Sequence, residues 1–366
     1  MMDLLKVTDE YITLSNELYN NVTMRGGHTY LLQDAHARGI ENLGLGHRVD
    51  GYERLPHLKI HDLRPHDWPY KTLFLFTGGL GDAISLFILL DALEKEYNII
   101  TDVACRDDIY QDIFKPLGFT GDHVQIPVNL EVIKNYTSIQ TSADNFFQDN
   151  LPKWGKCIID DLGSAYKVNL NNSTARYSIP EGILKKSVLP SGTNVRIGIN
   201  FDSRGDIRSY PDTMQPVLIN GLLKIGFETF LFGQKRPNIA GLKDIKKTHN
   251  YCGHTTVAEL AAMITQMDIM ITMDSFIAHL SNILGKKTLV LLSTTKKGIF
   301  QWHKSIHCME SQIECSPCGE VGNECPRKFS QCEAFFHGSI APEAIISSII
   351  KYSEEYFSNM LQSYAS

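Results

Sequence analysis

Twice along the chain, short apolar runs of β-compatible composition alternate with segments of helical spacing, joined by turns marked with glycine, serine or aspartate. The first series runs KTLFLF, the turn TGGLGDA, SLFILLDALEKEY with Phe87, Leu90 and Leu93 at helical spacing, ITDVACR, DIYQDIFKPLGF closing at Gly118, and DHVQIPV. Leu189-Pro190-Ser191-Gly192 punctuates the chain, and a second series follows: VRIGINF, PVLINGLLKIG ending at Gly226, FETFLFG, VAELAAMITQM, DIMITM, SFIAHLSNILG and KKTLVLLS. Such alternation predicts an α/β fold with parallel sheets, because parallel neighbours need a crossover connection that a helix supplies. Two such units facing each other would bind a ligand in the crevice outside the carboxyl ends of their strands. No period of self-similarity points to a solenoid.

Before the first series, residues 1–70 show no sustained periodicity and predict an irregular, partly helical segment. Their histidines, among them His28, His36 and His47, lack ligand spacing. Composition narrows the function classes. With 366 residues, 43% hydrophobic and 21% charged, the chain has enough apolar content for two domains. A net charge of −6 gives no global field for nucleic acid or anionic lipid. The apolar runs LFLF and TLVLL fall far short of the ~20 residues of a membrane span. The acidic start MMDLLKVTDEY is unlike a signal peptide, so a cytoplasmic protein is expected. Eight cysteines are then thiols or metal ligands rather than disulfides.

Four stretches carry chemistry. In TGGLGDA, between a strand and a helix, Gly79 and Gly81 let the backbone approach a ligand, and the helix start favours an anion. A tight turn with Asp82 as helix N-cap accounts for the same residues. In MDSFIAHL, Asp274 and Ser275 sit at a second strand-to-helix junction and His279 follows Ser275 by four residues, over the same first turn. A phosphate there would meet amides, a hydroxyl and an imidazole, whereas the plainer reading has Asp274 or Ser275 capping the helix and His279 satisfied in the core. In NFDSRGDIRSYP, Arg204 and Arg208 suit diphosphate oxygens, or else pair locally with Asp202 or Asp206. Finally, Cys315, Cys318, Cys325 and Cys332 form C-x2-C-x6-C-x6-C, a soft four-thiolate set that suits tetrahedral zinc or iron. Cys105, Cys157, Cys252 and Cys308 lack such spacing and are expected as buried thiols.

The order of these pieces, from about Lys71 to Ile345, resembles the heptosyltransferases of glycosyltransferase family 9, which have the two-domain GT-B architecture. Its firmest stretch runs from Cys252 to Thr295, with the family's G-x-T-x-x-E-L-A pattern at Gly253–Leu260, its D-S/T-G-x-x-H pattern at Asp274–His279 and its L-G-K-x-T strand and turn at Leu284–Thr295. Phe276 replaces the family's glycine, and Ser293-Thr294 replaces its Phe-Gly pair. The resemblance implies an N-terminal extension over 1–70, an acceptor domain over 71–190, a nucleotide-sugar domain over 191–350 that includes a cysteine finger at 314–333, and a tail over 351–366. It implies Asp82 as general base, with Gly79, Gly81, Arg208, Asp274, Ser275, Phe276 and His279 around the nucleotide sugar. Many relatives carry a cysteine-bearing tail, and a subgroup that glycosylates bacterial autotransporter adhesins uses it as an iron-binding finger.

In chemical terms the resemblance implies inverting transfer of a sugar, heptose from ADP-heptose foremost, to an acceptor hydroxyl on a protein or glycan. No catalytic divalent metal is then required, in keeping with the lack of a D-x-D motif in these strand-end loops. Two alternatives stand beside it: a related transferase using another nucleotide sugar on a capsule or modified nucleobase, and a catalytically silent binding or assembly protein. Homo-oligomerisation stays open.

Overall fold

Burial decides where the chain stops being a loop and starts being a sheet. The apolar runs become strands buried along nearly their whole length: Thr72–Leu75, Glu228–Phe232 and Ile269–Met273 have no residue outside the core. The computed structural model describes residues 2–8, 11–14, 22–48, 59–60, 72–136, 138–140, 168–170, 173, 175–190, 194–300, 305–316, 318, 325 and 327–365. Contacts divide the chain into two compact units; of the described residues, those up to Ala175 fall in the first and those from Arg176 in the second. The division precedes the Leu189–Gly192 punctuation because residues 181–190 are held by the second unit. There Gln266 donates to Ser187 O at 2.8 Å and accepts from Leu189 N at 3.0 Å.

The second unit holds a six-stranded parallel sheet in the order Thr248–Asn250, Glu228–Phe232, Arg196–Asn200, Ile269–Met273, Lys287–Leu292, Ile306–Glu310. Counted within the unit this is 3-2-1-4-5-6, the doubly wound order, with the reversal between Arg196–Asn200 and Ile269–Met273. Ligands of such sheets bind outside the carboxyl ends at that reversal. Helix Gln215–Ile225 closes at Gly226, whose φ of 105° is open to glycine at little cost. Its Leu218, Ile219 and Leu222 share a core with Ile345 and Ile349 of the helix Pro342–Ala365. The residues expected as a tail thus continue a helix. The motif at Gly253–Leu260 also has a structural cause: Thr256 caps helix Val257–Ile264, accepting from Glu259 N at 3.3 Å, while Glu259 accepts from Thr256 N at 2.9 Å.

In the first unit a five-stranded parallel sheet runs Lys59–Ile60, Ser138–Gln140, Thr72–Leu75, Asp102–Cys105, His123–Gln125. Its order also reverses beside Thr72–Leu75, from which the glycine turn leads into helix Leu80–Tyr97. Two expectations are corrected here. DHVQIPV is not one strand: Pro127 has no amide to give the ladder, and beyond it Val128–Asn129 joins another sheet. The described part of residues 1–70 is not irregular but mostly strand. Met2–Val7, Thr29–Gln33, Gly46–Arg48 and Val128–Asn129 form a four-stranded antiparallel sheet, and Tyr11–Leu14 pairs with Val22–Arg25. Among the described residues, no helix is long and apolar enough to cross a membrane.

Candidate active site

At the reversal of the second sheet, polar residues end the apolar strands. Asn200, buried at the end of its strand, donates to Phe232 O at 3.2 Å. Its Oδ1 accepts from Ser275 Oγ at 3.0 Å and from Thr272 Oγ1 at 3.3 Å. Ser275 occupies the N-cap of helix Phe276–Ile283 in extended conformation, yet its hydroxyl is spent on Asn200 and no side chain caps the helix. The capping expected of Asp274 or Ser275 is therefore absent. The leading amides keep the partial positive charge that favours an anion.

Asp274 and Arg208, 66 residues apart, meet here. Arg208 Nη2 lies 2.8 Å from Asp274 Oδ2 and donates to the Asp274 carbonyl at 3.0 Å. Thr295 Oγ1 donates to the same carboxylate at 2.8 Å. Ser203 Oγ donates to the Asp274 carbonyl at 2.6 Å, which fastens the arginine loop to the helix start. Both partners of the pair are almost fully buried, with 13% and 11% of their side chains exposed. Local pairing does not occur, since Asp206 bonds Lys235 and Asp202 accepts from Gln234 N and Lys235 N. Asp274 is thus the counterion of Arg208. Arg208 Nε is buried and has no partner among the described residues, leaving one N–H of a cation unspent.

His279 is buried, its ring 4.9 Å from that of Phe300. Burial pushes its pKa down from 6.5 to about 4, against the opposing charge of Asp274. The imidazole is neutral near pH 7, so it offers a phosphate no positive charge. Phe276, half-buried, takes the first helical position.

In the first unit, Gly79 and not Asp82 is the N-cap of helix Leu80–Tyr97. Asp82 sits at the third helical position, where its Oδ2 accepts from Gly79 N at 3.1 Å. That bond turns the carboxylate back over the glycine turn, at the carboxyl end of Thr72–Leu75 where the strand order reverses. Gly81 lies inside the first turn of the helix, half-buried.

A sequence-family comparison fits this arrangement. Residues 169–328 match the family model of glycosyltransferase family 9 (heptosyltransferase). Over that stretch, 160 of the 366 residues, the chain is similar to this family. The protein is accordingly a glycosyltransferase, and solved structures bear out its fold. ADP-heptose lps heptosyltransferase II of E. coli superposes with a TM-score of 0.52 at 13% identity, over 78% of this chain and 99% of its own. The iron-containing dodecameric glycosyltransferase TibC of enterotoxigenic E. coli H10407 gives 0.57 at 10% identity, over 97% of this chain and 92% of its own. TibC in complex with ADP-D-beta-D-heptose gives 0.60 at 11% identity, over 97% and 91%. Among curated proteins none matches the chain by sequence. These neighbours have the GT-B type of fold, with Rossmann-like α/β domains.

In this glycosyltransferase the four cysteines are half-buried, form no disulfide with one another, and line one cavity with Ile207, Ser293, Thr294, Ile313, Ser316 and Arg327. The Cys332 thiol is pushed up to about 11 by burial and, further, by the charges of the other three. Among the described residues, no three potential ligands are already arranged to hold a metal ion. Of the finger, residues 317, 319–324 and 326 lie outside the described residues. Four soft donors on one cavity wall nevertheless match the chemistry of zinc or iron. Cys105 and Cys252 are buried and Cys308 half-buried, and burial raises all three thiols, Cys252 and Cys308 to about 12. Cys157 lies outside the described residues.

Sequence reasoning passed over Asn200, Ser203 and Thr272. Asn200 and Thr272 carried a signal, as polar residues at the carboxyl ends of otherwise apolar strands. Ser203 carried none, because its bond to Asp274 spans 71 residues.

Proposed function

We propose that this glycosyltransferase moves a heptosyl group from ADP-heptose to an acceptor hydroxyl with inversion. The observation that carries the reading is the buried Arg208–Asp274 pair beside an uncapped helix start, at the strand-order reversal of the second unit. The unspent Nε–H of Arg208 and the leading amides of Phe276–Ile283 bind the diphosphate, while Asp274 and Thr295 hold the guanidinium in place. Neutral His279 and Ser275 orient this turn, and Phe276 lies against the sugar nucleotide. In the first unit Asp82 is the general base. The acceptor oxygen bonds the anomeric carbon, the bond from that carbon to the diphosphate breaks, the hydroxyl proton passes to Asp82, and ADP departs. Gly79 and Gly81 keep the turn around Asp82 bare of side chains.

The acceptor we assign is a protein of the autotransporter-adhesin type. Support comes from coverage: the fold likeness to TibC spans 97% of the chain, including the N-terminal sheet, against 78% for the lps heptosyltransferase. Cys315, Cys318, Cys325 and Cys332 would hold a structural zinc or iron, whose contribution is to cross-link the segment. The test is to offer ADP-heptose and other nucleotide sugars with an adhesin passenger domain and with lipopolysaccharide core. Free ADP together with a heptose-sized mass increment on the passenger is expected. Release of a different nucleotide, or sugar on the core alone, overturns the respective part.

A further inference from the structure

The cysteine segment is fastened to the loops that carry Arg208 and Thr295. Ser316, next to Cys315 and within the C-x2-C step to Cys318, donates from Oγ to Ser293 O at 2.7 Å. Ser293 in turn donates to Ile207 O at 3.2 Å. Ile207 immediately precedes Arg208, and two residues beyond Ser293 stands Thr295, which bonds Asp274. A short relay of hydroxyls and peptide groups thus joins the Cys315–Cys318 step to both members of the buried pair. The far end of the finger closes on the same loop: after Cys332, Phe335 packs edge-on to Tyr210 at 5.2 Å, two residues past Arg208.

The cavity between the two is shared. The four thiols line it together with Ile207, Ser293 and Thr294. The Thr294 hydroxyl, buried with 2% of the residue exposed, has no partner among the described residues. A chelate across Cys315 and Cys318 would restrict the peptide that carries Ser316, and so the hydroxyl that holds Ser293.

We propose that the cysteine segment is a positioning element of the donor site: metal bound by the four thiolates sets the Ser316–Ser293–Ile207 relay and thereby the seat of Arg208. This rests on the reading of Arg208 as a diphosphate ligand. Loss of metal lowers nucleotide affinity even where the chain stays folded.

The experiment uses the full chain and ADP as probe. Metal content is measured by elemental analysis and ADP affinity by calorimetry for the wild type, Cys318→Ser, Ser316→Ala and Arg208→Ala. Cys318→Ser is expected to lose the metal and to bind ADP at least about tenfold more weakly. Ser316→Ala keeps all four thiols, so it retains the metal while affinity falls about two- to tenfold, the range of one hydrogen bond. Unaltered ADP affinity in a metal-replete Ser316→Ala overturns the relay, and this holds even if Cys318→Ser fails to fold. A folded, metal-free Cys318→Ser with wild-type affinity, or a wild type that binds ADP without metal, overturns the role of the metal. If Arg208→Ala binds ADP like the wild type, the underlying assignment of Arg208 falls; if only that variant weakens, the assignment stands and the coupling alone is refuted.

Discussion

The two units repeat one device with opposite use of a carboxylate. Each presents an aspartate where a buried strand turns into a helix beside a reversal of strand order. Asp82 is half-buried, bonded to a backbone amide of its own turn. Asp274 is buried between a guanidinium and a hydroxyl, 2.8 Å from each. A carboxylate in the first setting can still gain a proton from a substrate. In the second its charge is consumed in holding a cation. Residue type and position in the fold therefore do not determine the role; the partner brought from elsewhere in the chain does.

Exchange of roles between the two aspartates would break that contrast. Asp82→Asn should cut turnover by about 10²–10⁴-fold, the range of general base catalysis, and leave ADP affinity unchanged. Steady-state rates and calorimetry decide it, and near-normal turnover would remove Asp82 from catalysis. Arg208→Ala should weaken ADP about 10- to 100-fold, as loss of hydrogen bonds to a charged group implies. It also strands Asp274, which for buried pairs costs about 3–5 kcal/mol, an upper bound here given the remaining exposure. Denaturant unfolding of this variant, set beside Asp82→Asn, should show a large loss in the first and little in the second.

Acidity sharpens the comparison with a smaller effect. The turn of the second unit carries His279, whereas no histidine occurs in TGGLGDAISLFILLDALEK. Folding lowers the His279 pKa from 6.5 to about 4. Between those values the unfolded chain binds a proton that the folded chain does not. The contribution is intact above pH 6.5 and is lost as pH falls toward 4, by up to roughly 3 kcal/mol. Stability measured across that window should fall more steeply in the wild type than in His279→Gln, and parallel curves would refute the neutral buried imidazole.

Sequence periodicity located the principal strands and helices of both parallel sheets, because burial of whole strands leaves continuous apolar runs such as KTLVLL. It could not show the Arg208–Asp274 pair, whose members are joined only when two strand ends become neighbours. Asp82 was placed one role away: Gly79 took the cap and left Asp82 to reach back from the third position, a choice between adjacent residues that composition does not resolve. The N-terminal sheet was missed for a different reason. Its central pair joins Met2–Val7 to Thr29–Gln33 and it borrows Val128–Asn129 from beyond the first parallel strands, so no local period announces it.

That borrowed strand bears on how such an enzyme can be shortened or recombined. Val7, Leu31, Leu32 and Ile40 share one core with Leu73, Leu75, Val128 and Ile139. A gene trimmed to open at residue 71 would lay that core bare on one side. Each large side chain so uncovered forfeits about 1.5–3 kcal/mol and adds to a sticky face. A chimera recombined within the first unit must therefore carry residues 1–48 and 128–129 together, as a single heritable block split in the gene and whole only in the fold.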